Sequence, residues 1–250
     1  MLTFLLVHGS SHGAWCWEKI VPRLEALGHR ALALDLPGHG ADETPWWRVT
    51  LGAYSRTVRD AARGQGSVIA VGHSMGGGVI TQAANDEPDL FAGLIYVTGF
   101  VPIPGETMLG LARRDAVWRG LSVPRYHGGT ITIRPERVAE IFYSACDPVD
   151  AEAAAARLTP QPMFPLVQRI AKPQGPTPPM AYVECLEDRT LSLDLQRYMH
   201  TRFTMSAVSA LDCDHSPFYS APADLTGHLA AHALTLTGQR PQKSVPRHVA

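Results

Sequence analysis

Charge is scarce and balanced in this chain: 18% of the 250 residues are Asp, Glu, Lys or Arg, and the formal net charge is −1. There is no basic stripe and no run of like charges, which removes the electrostatic footprint that nucleic-acid binding needs. No apolar stretch reaches the roughly 18–20 residues that span a bilayer, so no membrane segment is expected. Cysteine is limited to Cys16, Cys146, Cys185 and Cys213, with no CxxC pair and no clustering with histidine. Nothing in this spacing points to a disulfide scaffold or a thiolate metal site, and the four read as reduced thiols inside a cytoplasmic protein. The apolar start, Leu2-Thr3-Phe4-Leu5-Leu6-Val7, lacks a basic leader and a cleavage site and runs into His8-Gly9. It reads as a first strand and not as a secretory signal.

What the chain does have is alternation. Apolar runs at residues 3–8, 30–35, 67–72 and 94–98 are continuous and rich in Leu, Val, Ile and Ala, as buried parallel strands are. Helical patterns at 15–27 and 51–63 separate them. Strand and helix in repeated alternation predict a mostly parallel sheet with helices on both faces. After Phe100 the rhythm breaks. Residues 101–179 carry helical patches at 135–145 and 149–158, one short strand signal at Ile131-Thr132-Ile133, and breaks at Pro160, Pro162 and Pro165. Strand rhythm returns at 180–186 and 204–211, with helices at 192–202 and 221–236. The expected organisation is one α/β core from residues 1–100 and 180–237, with a helical cap inserted at 101–179 over the sheet edge where open α/β sheets bind ligands. The polar, basic segment 238–250 reads as a flexible tail.

The most specific signal is Gly72-His73-Ser74-Met75-Gly76, placed after the strand pattern 67–72 and before a helical one. Strand, G-x-S-x-G, helix is a nucleophile elbow. The turn is so sharp that Ser74 must adopt a strained backbone, while glycines at 72, 76 and 77 keep β-carbons out of the crowded bend. The serine hydroxyl then stands at the sheet edge with the Met75 N–H beside it at a helix N-terminus.

A serine hydroxyl needs a base, and the base needs a partner that holds its tautomer. On this scaffold the order is serine, acid, histidine. Of 11 histidines, only His215, in Asp214-His215-Ser216-Pro217-Phe218 after the strand at 204–211, has the position that order demands. His29, His127, His200, His228, His232 and His248 read as solvated surface. His8, His12, His39 and His73 lie near the sheet edge, His73 with its side chain directed away from the base. The acid is Glu187 or Asp188, at the end of the strand 180–186; Asp212 and Asp214 are read as orienting the loop or facing solvent. Backbone N–H groups of Ser10, in the loop after the first strand, and of Met75 are the candidate oxyanion donors.

With these residues in hand the chain resembles the α/β-hydrolase superfamily, and within it the small-cap group of plant methylesterases, plant hydroxynitrile lyases and bacterial pyrethroid-type esterases. Phe4-Leu5-Leu6-Val7-His8-Gly9 with His12-Gly13-Ala14-Trp15-Cys16-Trp17 is similar to the group's opening. Leu24 to His29 with Ala33 to Leu36, the elbow, Tyr182 to Asp188 through Met199, and Asp214 to Phe218 carry the rest. The resemblance implies a cap after the sixth strand, Asp188 as the acid, the triad Ser74, Asp188 and His215, and neither a metal nor an organic cofactor. It also marks two departures. The lyases place threonine and lysine where this chain has Gly9 and Ser216. Dehalogenases and epoxide hydrolases place aspartate at the elbow, so Ser74 points to acyl chemistry.

The expected activity is hydrolysis of a carboxylic ester of a hydrophobic or aromatic small molecule. The expected pocket residues are Gly9, Ser11, His12, Trp46, Trp118, Phe142, Phe164 and Phe218, with Trp47, Tyr143 and Met163 as further apolar candidates. The partner is a small-molecule ester, and a homodimer is left open. Two other readings stand beside this one: a cofactor-free lyase or cyclase using the same triad as acid and base, and a ligand-binding member without turnover.

Overall fold

The computed structural model describes residues 1–115 and 124–238. Six parallel strands form the main sheet in the order β2-β1-β3-β4-β8-β9. They are β1 (Thr3–Val7), β2 (Arg30–Leu34), β3 (Val68–His73), β4 (Gly93–Val97), β8 (Met180–Cys185) and β9 (Ala207–Leu211). Every residue of β1, β3, β4 and β8 is buried. This is why these strands read as continuous apolar runs, since both faces of the sheet are covered. Leu5, Val7, Ala70 and Tyr96 pack on one face with α2 (Leu51–Ala62) and α3 (Met75–Asp86). Phe4, Leu6, Val71 and Ile95 pack on the other with α1 (Val21–Ala26) and α10 (Pro222–Thr237).

Helix boundaries follow local chemistry. Thr50 caps α2, its side chain accepting from Ala53 N–H at 3.0 Å, and Gly238 ends α10 in a left-handed conformation at φ 66°. Among the described residues no helix is long and apolar enough to cross a membrane.

Between β4 and β8 the chain leaves the sheet. There it forms α4 (Met108–Ala112), β5 (Pro124–His127), β6 (Thr130–Ile133), α5 (Pro135–Phe142), α6 (Pro148–Ala155), β7 (Gln161–Pro162) and α7 (Phe164–Val167). Two expectations change here. The segment is not purely helical: β5, β6 and β7 make a second, antiparallel sheet, in which Ile131 pairs with Gln161. Glycines at 128 and 129, both at positive φ, turn β5 into β6 as a hairpin. The segment also follows the fourth strand in chain order, not a sixth, because all four strands before it belong to the parallel sheet and no antiparallel pair precedes them. The expected tail falls, apart from Gly238, outside the described residues.

Candidate active site

β3 ends at His73, and α3 begins at Met75, leaving Ser74 alone in the bend. Its φ of 51° and ψ of −120° are strained for a residue with a β-carbon. The bend holds because the neighbouring backbone closes around it. Val97 O accepts from Ser74 N–H at 3.2 Å, and Ser74 O accepts from Phe100 N–H at 3.0 Å. A β-carbon on Gly72 would lie 2.5 Å from Gly76 O, and one on Gly76 would lie 2.5 Å from Val7 O. Both positions require glycine.

The carboxyl group of Asp188 is buried and has four donors. Oδ1 accepts from the N–H groups of Thr190 (2.6 Å) and Leu191 (2.9 Å). Oδ2 accepts from Thr98 Oγ1 (2.5 Å) and His215 Nδ1 (2.7 Å). Glu187, the alternative acid, is exposed. The bond to Asp188 places the imidazole proton on Nδ1, which leaves Nε2 of His215 as an acceptor at the cavity. Ser74 and His215 line the same cavity. Among the described residues the Ser74 hydroxyl makes no hydrogen bond.

The loop after β1, which carries Ser10, is held from behind by neutral histidines. His8 Nδ1–H donates to Gly9 O at 2.8 Å, while Nε2 accepts from Leu36 N–H at 3.2 Å. Gly9 O and Ser10 N–H belong to one trans peptide, so His8 fixes the direction of Ser10 N–H. His12 Nδ1–H donates to Ser10 O at 2.8 Å, and its Nε2 accepts from Tyr143 O–H at 2.9 Å. Burial pushes His8 down to about 4 and His12 down to about 3, so both are neutral at pH 7. Met75 opens α3 and has no partner within the helix. Neither its N–H nor that of Ser10 donates to a protein backbone acceptor among the described residues. Two free N–H groups beside a serine are what a developing oxyanion requires.

The cavity encloses about 700 Å³ counted to its open mouth. Phe100, Ile131, Ile141, Phe142, Leu166 and Leu191 supply most of its wall, with the polar groups of Ser10, Ser11, Gln161 and Thr190 between them. Among the described residues His215 is the one titratable side chain on the wall.

Residues 4–227 match the model of the Alpha/beta hydrolase family. The chain belongs to that family. It is 30% identical to Methylesterase 2 of Arabidopsis thaliana, across 92% of this chain and 95% of that protein. It is 32% identical to a pyrethroid hydrolase of Sphingobium wenxiniae, across 92% of this chain and 86% of that protein. In structure it is similar to a pyrethroid hydrolase from Sphingobium faniae JZ-2, with a TM-score of 0.83, 29% identity, and coverage of 93% of this chain and 98% of that one.

The hydrolase scaffold brings Ser74, Asp188, His215, Ser10 and Met75 to one edge of the sheet. Of the expected pocket residues, Ser11 and Phe142 line the cavity. The others are placed elsewhere. Gly9 lies beneath the nucleophile, where a β-carbon would come 2.9 Å from Ser74 Cβ. His12 is turned to Ser10 O and Tyr143. Trp46 and Trp47 sit edge-to-face on the surface, 42% and 66% exposed. Phe164 points to solvent at the start of α7, while Leu166, two residues on, turns inward. Phe218 is fully buried against Trp17 and His73, and Trp118 lies outside the described residues. Tyr143 bonds His12, and Met163 packs against the core.

Other histidines were misplaced by sequence reasoning. His73 does not avoid the base: its Nε2–H donates to His215 O at 2.7 Å, and the two rings are 4.7 Å apart. His200 and His232 are buried, bonded to Glu184 at 2.9 Å and Ser209 at 2.8 Å. Thr98 was missed. It stands at φ 35° after β4 and donates to the same carboxylate oxygen as His215. The cavity residues Ile131 and Ile133 carried a signal, the period-two alternation of β6.

Proposed function

We propose that this protein is a cofactor-independent serine hydrolase that cleaves carboxylic esters of hydrophobic or aromatic small molecules through an acyl-enzyme on Ser74. The observation that carries the reading is the 2.7 Å bond from His215 Nδ1 to Asp188, which leaves Nε2 at the apolar cavity that Ser74 enters from a strained elbow. Ser74 Oγ attacks the ester carbonyl as His215 Nε2 takes its proton. Asp188 stabilises the imidazolium, and the N–H groups of Ser10 and Met75 receive the oxyanion. His215 returns the proton to the leaving alcohol. Water, activated by the same nitrogen, then releases the acid. These steps need neither a metal nor an organic cofactor.

The names of the relatives, methylesterase and pyrethroid hydrolase, support the same reaction class. The cap reading of 101–179 is supported by Ile131, Ile141 and Phe142, which line the same cavity as Ser74. The four free cysteines fit a reducing, cytoplasmic setting. The lyase reading is weakened at both departure positions. A side chain at residue 9 would meet His73 Nδ1 at 2.7 Å, and Ser216 is fully buried away from the cavity wall.

The test is a burst assay with p-nitrophenyl acetate and butanoate, with intact-mass detection of the acyl-enzyme. The expected result is turnover and an acyl adduct in the wild type, both lost in Ser74→Ala. Folded wild-type protein that gives neither refutes the proposal.

A further inference from the structure

A second space adjoins the active-site cavity. It is a groove of about 860 Å³, open to solvent, between β6, the start of α5, the end of α6 and the turn at Leu158 to Pro160. The groove and the inner cavity share two wall residues, Ser11 and Ile133. The shared wall is fastened. Ser11 N–H donates to Gln161 Oε1 at 3.3 Å, and Ser11 O accepts from Thr159 N–H at 2.9 Å. Ser11 itself is held at φ 65°.

The two spaces differ in kind. The inner walls are nearly all buried, Leu191, Gln161, Ile141 and Phe142 among them. The groove walls are mostly half-buried or exposed, as at Thr132, Ala155, Leu158, Thr159 and Pro160. Among the described residues no charged side chain lines the groove, and the hydroxyls of Thr132 and Thr159 interrupt its apolar surface.

We propose that the groove is the alcohol subsite, so that this enzyme takes esters of bulky, uncharged alcohols whose acyl half fills the inner cavity. This rests on the hydrolase reading above. The order of product release sets the orientation. After acylation the acyl group stays bonded to Ser74, and the alcohol must leave before water can complete the cycle. An alcohol seated in the buried inner cavity would have the acyl-enzyme between it and solvent. An alcohol lying past Ser11 and Ile133 in the open groove departs freely.

The test compares kcat/KM for methyl butanoate, 4-phenylbenzyl butanoate and methyl 4-phenylbutanoate. Leu158→Trp and Ala155→Phe fill the groove at half-buried positions, each confirmed folded by its melting curve. Leu166→Phe narrows the inner cavity. Either groove variant is expected to lower the ratio of 4-phenylbenzyl butanoate to methyl butanoate about tenfold. Leu166→Phe is expected to lower the ratio of methyl 4-phenylbutanoate to methyl butanoate instead. The assignment is overturned if both groove variants leave the first ratio unchanged, or if they move the second. A wild type that hydrolyses none of the three esters overturns the hydrolase reading, and the subsite with it.

Discussion

Four histidines buried around the site, His8, His12, His39 and His73, should make the fold sensitive to mild acid. Burial is the leading cause in each case: it holds His8 at about 4, His12 at about 3, and His39 and His73 well below their ordinary value. Above pH 6.5 all four are neutral in both the folded and unfolded chain, and their burial carries no protonation cost. As pH falls through 6.5 the unfolded chain binds a proton at each, whereas the folded chain does not until far lower pH. Stability is therefore present above 6.5 and lost as pH falls toward the folded values. At pH 5.5 each histidine costs about 1.4 kcal/mol, and four together cost roughly 5–6 kcal/mol. For a chain of this length that lowers the melting temperature by roughly 10–20 °C. Carboxylates titrate mostly below this window, so the histidines dominate it.

The assay is thermal unfolding at pH 7.5, 6.5 and 5.5 and constant ionic strength. A fall of less than about 3 °C between pH 7.5 and 5.5 refutes the reasoning, since one such histidine alone accounts for that much. His39→Gln sharpens the test. It removes the bonds of His39 to Tyr54 O–H (2.9 Å) and Thr159 Oγ1 (3.1 Å), so its baseline stability is lower. Its pH dependence should nonetheless be shallower by about 1.4 kcal/mol over the same interval.

Two further predictions concern the backbone around Ser74 and His215. Asp214 is fully buried beside His215, with Oδ1 accepting from Ser216 N–H (3.0 Å) and Ser220 O–H (2.8 Å) and Oδ2 from Ala145 N–H (2.8 Å). Asp214→Ala strands these donors and should cut kcat for p-nitrophenyl butanoate more than about tenfold and lower the melting temperature by several degrees, with Asp214→Asn between it and the wild type. Gly76→Ala puts a β-carbon against Val7 O, which is backbone and cannot swing aside. It should destabilise the fold by more than about 2 kcal/mol in urea titration, and an unchanged midpoint would show that the elbow can relax.

What was legible in the sequence was local. Strands β1, β3, β4 and β8 declare themselves because both of their faces are buried, and the elbow declares itself because Gly72 and Gly76 answer to contacts within the bend and with β1. The choice of Asp188 over Glu187 needed family resemblance, since adjacent carboxylates differ only in which way the loop turns them. The cavity wall was least legible. Its polar corner depends on Ser11 meeting Gln161 and His39 meeting Thr159, partners 150 and 120 residues apart. Phe164 and Leu166 are both apolar, and only the docking of a four-residue helix on the core decides which faces inward. His200 read as a surface group for the same reason: its partner, Glu184, lies on β8.

The positive-φ residues other than glycine among the described residues are Ser11, Ser74 and Thr98, and all three meet at the site. The turns at Ser74 and Thr98 are stitched together, while Ser11 is fastened to Gln161 and Thr159. Ser74 N–H bonds Val97 O, next to Thr98; Thr98 N–H bonds Val183 O at 2.9 Å on the strand that leads to Asp188, and its hydroxyl bonds Asp188 itself. Glu187 N–H bonds Cys213 O at 3.0 Å, two residues before His215, and His73 returns from the elbow to His215 O. Ser74, Asp188 and His215, the proposed nucleophile, acid and base, thus sit on three loops tied to one another by these bonds. Strain of this kind costs on the order of 1–3 kcal/mol per residue and persists only where the surroundings over-determine it. Here the over-determining bonds at Ser74 and Thr98 are the ones that hold the proposed reacting groups in register, so loosening either turn should reach the chemistry before it reaches the fold.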